Sequence, residues 1–305
     1  MKQSNPWHSP LALLIGTGTL LGLTNNLVKI ATTGGWQPVT FLLWSLLGAG
    51  VLLVGLAMAS QARPPLGRAH LRYYLVSGLI SISLPNAVMF SAIPHVGAGY
   101  ASLCLAFPPL LTYGLAVLLK LERLRGLRLL GVVLGLIGSL LLAIGKASAG
   151  DAPLGWVLAV LVVPVFLALG NIYRTLRWPA GATPLALAPG MLLAGALLLV
   201  PSLAMQGLAN TDTAGTPRQP ELWPVLAQML LFACTYAMFF RLQKIAGPVY
   251  LSQIGSVGAM AGAAVAILLL GESGSLSMLL AAVCVVIGVV LMSRPDRSPA
   301  AQEAT

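Results

Sequence analysis

The sequence predicts an all-α polytopic membrane protein: ten transmembrane helices arranged as two inverted five-helix repeats. Three observations predict it. Hydrophobic residues make up 58% of the 305 and charged residues 8%. A soluble domain carries about 25% charged residues, so this chain lacks the polar side chains to face water all round. The apolar residues gather in ten runs, each near the ~20 residues a helix needs to cross a bilayer. One stretch is also written twice: residues 97–142 lie over residues 247–292 at a constant offset of 150, without a gap.

In chain order the runs cover 11–30, 39–59, 73–93, 97–119, 127–145, 155–173, 184–205, 223–240, 248–270 and 276–292. The first follows Lys2 in the manner of a signal peptide. No small-x-small cleavage site comes after it and it reaches membrane length, so it counts as the first span. The breaks carry helix punctuation: Gly34-Gly35, Pro64-Pro65, Pro94, Pro153, Pro179, Pro184 and Gly247-Pro248. The longest break, Asn210 to Glu221, is polar and holds Pro217 and Pro220, as a surface loop does. The expected division is 1–148 for the first repeat, 149–293 for the second and 294–305 for a cytoplasmic tail.

An even number of spans puts both termini on one side. With that side as the cytoplasm, fourteen of the seventeen basic residues fall on inner segments; Lys29, Lys146 and Arg218 are the exceptions. This is the bias that orients membrane proteins, and it predicts a multi-pass protein of the cell (inner) membrane with both termini cytoplasmic. It also accounts for the +10 net charge without a nucleic-acid partner, because the cations sit in the breaks between runs. Arg174 and Arg177 read as inside anchors. Cys104, Cys234 and Cys284 each fall within an apolar run and read as small buried hydrophobes.

The duplicated stretch matches at Gly97/Gly247, Tyr100/Tyr250, Ser102/Ser252, Glu122/Glu272 and Gly138/Gly288. Each copy is an apolar run, a short break with a glutamate, then another apolar run. Five spans separate the copies, so the second enters the membrane the opposite way round. Asn25 to Pro38 also lies over Asn171 to Pro184, at an offset of 146. Inverted halves of this kind are a transporter architecture, with the substrate site expected near the midplane between them.

Around Glu122, with Gly131 nine residues on and Gly138 sixteen on, the pattern resembles the EamA domain of the drug/metabolite transporter superfamily. Pro108 or Pro109 matches a proline usual in that family's fourth helix. The second copy keeps Gly271-Glu272 and Gly288. It departs at Ala281, where glycine is expected, and at Val257-Gly258, where a proline often sits. Span 9 should therefore bend less than span 4. The resemblance implies a ten-helix inner-membrane carrier, often an exporter of amino acids, metabolites or drugs. It also implies a cavity formed by spans 1, 3, 4, 6, 8 and 9.

Polar residues inside the runs are the site candidates, because in lipid they must find partners within the bundle or face a wet cavity. They are Asn25 and Asn26 in span 1, Asn86 in span 3, Tyr100 in span 4, Asn171 and Tyr173 in span 6, Tyr236 in span 8, and Tyr250 and Gln253 in span 9. Each could contact substrate or make a helix–helix hydrogen bond. Four more are candidates for coupling or gating. His95 could titrate near neutral pH or stand as a solvated loop residue. Lys29 could attract a carboxylate or snorkel to the interface. Glu122 and Glu272 could couple protons or cap the start of the next helix. No Asp or Glu falls at membrane depth, which disfavours a carboxylate-driven antiporter of polycations.

The expected function is transport of a small polar or amphipathic metabolite by alternating access, with no metal or cofactor and with the lipid bilayer as surroundings. The chain would work as a monomer or homodimer. The alternative is a polytopic membrane enzyme or lipid-modifying protein. The sequence carries no GxSxG, HExxH or Walker A motif to support it.

Overall fold

The computed structural model describes residues 9–148, 152–209 and 220–293, and all of their regular structure is helical. Lys2, Arg218, Arg294, Arg297, most of the predicted loop and the predicted tail lie outside the described residues. Ser9 starts α1 (Pro10–Thr33) by accepting the Ala12 N–H at 3.4 Å, and Pro10 begins the helix where a missing N–H does no harm. Prolines also open α2 (Pro38–Ala59), α6 (Pro108–Leu118) and α9 (Pro184–Ala209).

The third predicted span is helical from Arg68 to Val96, as α3 (Arg68–Gly78), a π-helical turn (Leu79–Ser83) and α4 (Leu84–Val96). Pro85 accounts for the wide turn: it donates no N–H, and its ring crowds the carbonyl four residues back. The fourth span is α5 (Ala98–Cys104) and α6, interrupted at residues 105–107. Then follow α7 (Gly126–Ser148), α8 (Leu154–Leu176), α10 (Trp223–Ser252, broken at Gly247, whose φ of 76° is not helical), α11 (Ile254–Leu268) and α12 (Leu276–Ser293). Between α10 and α11 only Gln253 leaves the helical pattern, a shorter interruption than that in span 4. Several helices outrun their apolar stretches. Arg68 to Arg72 open α3, and Arg241 to Lys244 lie within α10. Arg68 and Arg72 are exposed at the start of α3, and Lys244, three residues before the break at Gly247, lies over the Trp178 ring at 5.0 Å.

Seven helical stretches among the described residues are long and apolar enough to cross a membrane. Their outer faces carry exposed Leu47, Val51, Leu158, Val162 and Leu230, a surface suited to lipid rather than water. Cys104 is buried, but Cys234 stands on that outer face, contrary to the buried reading.

A close seam joins α1 to α11. Gly18 and Gly22 face Gly258 and Gly262, the two GxxxG spacings of these helices. A Cβ on Gly22 would lie 2.4 Å from the Gly258 oxygen. Elsewhere α1 packs on α10, α2 on α9 and α10, α3 on α9, α4 and α6 on α8, α5 on α11, and α7 on α12.

Candidate functional site

Where α1, α4, α8, α10 and the two helix interruptions converge, they leave a cavity of about 70 Å³. By volume it has room for a few waters. One face of α8 supplies Val163, Leu167, Asn171 and Arg174, spaced about one turn apart so that all point the same way. The π turn turns Ser81 inward, and α4 adds Asn86. Asn25 comes from α1, and Thr235, Tyr236 and Phe239 from α10.

Of the predicted residues, Asn25, Asn86, Asn171 and Tyr236 line this cavity. Asn25 Nδ2 donates to Ser102 Oγ at 3.2 Å, and Asn86 Nδ2 to the Ile82 carbonyl at 2.9 Å. The others lie elsewhere. Asn26 Nδ2 donates to the carbonyls of Gly22 and Gly262, at 3.1 and 3.0 Å, and ties the α1–α11 seam. The Tyr100 hydroxyl is buried against the Val157 carbonyl at 3.2 Å. Tyr173 stacks on Tyr73 with ring centroids 6.2 Å apart. Tyr250, Gln253 and Glu122 line a separate opening of about 570 Å³ beside α12.

Arg174 corrects the sequence reading. It is not an interfacial anchor: it is 2% exposed and lines the cavity. Nε donates to Gln243 Oε1 at 2.9 Å and Nη2 to Asn171 Oδ1 at 2.6 Å, while Phe239 lies beneath the guanidinium at 4.8 Å. Its neighbour Arg177 is exposed. The sequence held a usable signal, since Arg174 lies three residues after Asn171 and so on the same helix face. Thr24, Ser81, Thr235 and Phe239 also line the cavity. Isolated hydroxyls and a phenylalanine in apolar runs give no such signal.

At one end of the bundle two of the four predicted coupling residues meet. Lys29 forms an ion pair with Glu272 Oε1. The carboxylate also accepts the Ala98 and Gly99 N–H groups, each at 2.8 Å. Glu272 thus caps the start of α5, a distant helix, rather than the helix that follows it. Burial by itself would raise its carboxyl. The Lys29 ammonium and the two amides outweigh burial and hold the pKa below its ordinary value. His95 is exposed and stacks on Trp156, with centroids 4.8 Å apart.

Residues 8–144 match the EamA-like transporter family. The chain is also 33% identical over 229 residues to the uncharacterized protein PA1977 of Pseudomonas aeruginosa, covering 74% of this chain and 75% of that protein. The chain belongs to the EamA-like transporter family. A second relative is the uncharacterized transporter YyaM of Bacillus subtilis, 25% identical over 228 residues and 72% of each chain. A crystal structure of a protein 22% identical shares the fold, with a TM-score of 0.64 over 93% of this chain and 98% of that one. As a member of this family the chain is a multi-pass membrane transporter. The cavity's lining mixes polar groups with Val163, Leu167 and Phe239, which stand beside Asn171 and Arg174.

Proposed function

We propose that this EamA-like protein is a secondary transporter that exports small polar or amphipathic metabolites, such as amino acids, by alternating access. Residues 1–148 and 149–293 form two inverted halves of five spans each, with both termini in the cytoplasm and the protein in the inner membrane. The observation that carries the reading is the cavity at the convergence of α1, α4, α8 and α10, mainly apolar but with Asn25, Asn86, Asn171 and Arg174 set into it, where side chains from both halves meet. The relative named as a transporter agrees with it.

Packing supports the duplication. Exchanging each span of one half for its counterpart turns the α1–α11 contact into α6–α8, and α1–α10 into α4–α8. It also turns α2–α10 into α3–α9, and leaves α2–α9, α5–α11 and α7–α12 unchanged. All of these pairs are in contact. Two matched glycines agree as well: Gly97 and Gly247 both take positive φ, 87° and 76°, at the junctions before the duplicated runs. The matched glutamates sit in like turns, Glu122 N–H reaching the Ala116 carbonyl at 3.2 Å and Glu272 N–H the Ala266 carbonyl at 3.0 Å.

The Lys29–Glu272 clasp then closes the outer end. Glu122, beside the opening near Tyr250 and Gln253, belongs to the inner end. Counterflow of a labelled amino-acid mixture into proteoliposomes tests the reading. The wild type should accumulate at least one amino acid, and Asn25→Ala or Asn86→Ala should slow it about tenfold, as expected for losing a hydrogen bond to a charged ligand. Wild-type rates in both variants would remove the site. Absence of any flux would remove amino acids as the substrate class.

A further inference from the structure

Arg174 is a buried cation in a part of the molecule without an anion. No carboxylate among the described residues lies within ion-pair distance of it, and its hydrogen bonds go to the neutral amides of Asn171 and Gln243. Guanidinium remains protonated at any physiological pH and offers five N–H donors. A buried charge without a counter-charge is unfavourable, and an incoming anion would offset part of that cost.

The surroundings point the same way. Ser81 and Thr235 both line the cavity, both are buried, and the hydroxyl oxygen of each is without a hydrogen-bond partner. Gly170 makes the room. A Cβ there would lie 2.0 Å from Ser81 Oγ and 3.3 Å from Arg174 Nη1, so a larger residue would push both groups away. Two unpaired hydroxyls and a fork-shaped cation around one small space match a planar anion with two acceptor oxygens.

We propose that Arg174, Ser81 and Thr235 form an anion subsite, and that it takes the carboxylate of a small organic acid or amino acid. This inference rests on the transporter reading and narrows its substrate class. Asn25, Asn86 and Tyr236, which also line the cavity, are placed to contact the rest of the molecule.

The test is thermal unfolding of the purified protein in detergent at matched ionic strength. Alanine, lactate and acetate are compared with alaninamide, lactamide and acetamide. A ligand that binds the folded state raises its apparent stability. At least one acid should raise the melting temperature while its amide does not. Arg174→Gln should weaken that acid about ten- to a hundredfold, Arg174→Lys should retain part of the effect, and Arg177→Gln should change nothing. Alanine acting alone identifies an α-amino acid site, whereas all three acids acting identifies a general carboxylate site. Amides as effective as acids, no effect of any acid on the wild type, or full acid binding by Arg174→Gln would each overturn the subsite. Should Arg174→Gln fail to fold, the acid–amide contrast in the wild type and in Arg174→Lys decides. Counterflow of the same six compounds separates the two claims. Acid binding without flux retires transport and keeps the subsite. Equal flux of acids and amides keeps transport and retires the subsite.

Discussion

At the scale of single residues, two cations behave unlike their sequence neighbours. Lys29 finds Glu272, and Arg174 finds only neutral partners. The Glu272 carboxylate is 13% exposed and accepts hydrogen bonds from the ammonium and from two amides. Replacing it by Gln should cost about 1.5–3 kcal/mol at neutral pH, the range for hydrogen bonds to a charged group. Its pKa is lower folded than unfolded, so the clasp's contribution is complete above the ordinary glutamate value of ~4.3. It fades as pH falls through the lower, folded value. Melting curves of the wild type and Glu272→Gln should therefore lie well apart at pH 7 and converge only in acid below pH ~4. Equal melting temperatures at pH 7 would show that the clasp contributes nothing.

The residues visible in the sequence were those whose chemistry is out of place in lipid. An asparagine in an apolar run must face something polar, and Asn25, Asn86 and Asn171 do face the cavity. The run itself does not tell which way a helix is rotated. Asn26, one residue from Asn25, points instead into the α1–α11 seam. Arg174 was misplaced because a cation at the end of an apolar run has the same local sequence whether it reaches water or turns inward. Only Gln243 and Phe239, some seventy residues away, decide the matter.

Among the elements, helix existence was legible from run length, and helix ends from proline and glycine. The interruption before Pro108 was not, since 97–119 reads as one apolar run; only the family resemblance implied that span 4 bends more than span 9. The π turn at Leu79–Ser83 was not, because Pro85 predicts a disturbed helix without specifying its form. The α1–α11 seam depends on close backbone approach, and this yields a contrast. Gly22→Ala puts a methyl into the backbone of α11 and should destabilise by about 1–3 kcal/mol. Gly114→Ala, in α6 with open space around it, should be neutral or stabilise by up to ~1 kcal/mol, because glycine is the poorer helix former. Thermal melts of both variants in the same detergent check this. Equal behaviour would mean the seam is not tightly packed in the protein.

For the whole molecule, the proposed mechanism places the cavity between two inverted halves and rocks one against the other. One end carries the charged clasp between Lys29, Glu272 and the start of α5. At the matched position of the other end, Glu122 borders an opening of about 570 Å³. The counterpart of Lys29 at the 146-residue offset is Thr175, so the lysine of the clasp is not repeated at that position.

The central claim is that the halves run in opposite directions, and the most direct measurement uses the two glutamate turns. With Cys104, Cys234 and Cys284 replaced, single cysteines at Leu124 and Ser273, both exposed, are labelled in intact cells with a membrane-impermeant thiol reagent. The account predicts that Ser273→Cys reacts from outside and that Leu124→Cys reacts only after the membrane is opened. Labelling of both from the same side would contradict it.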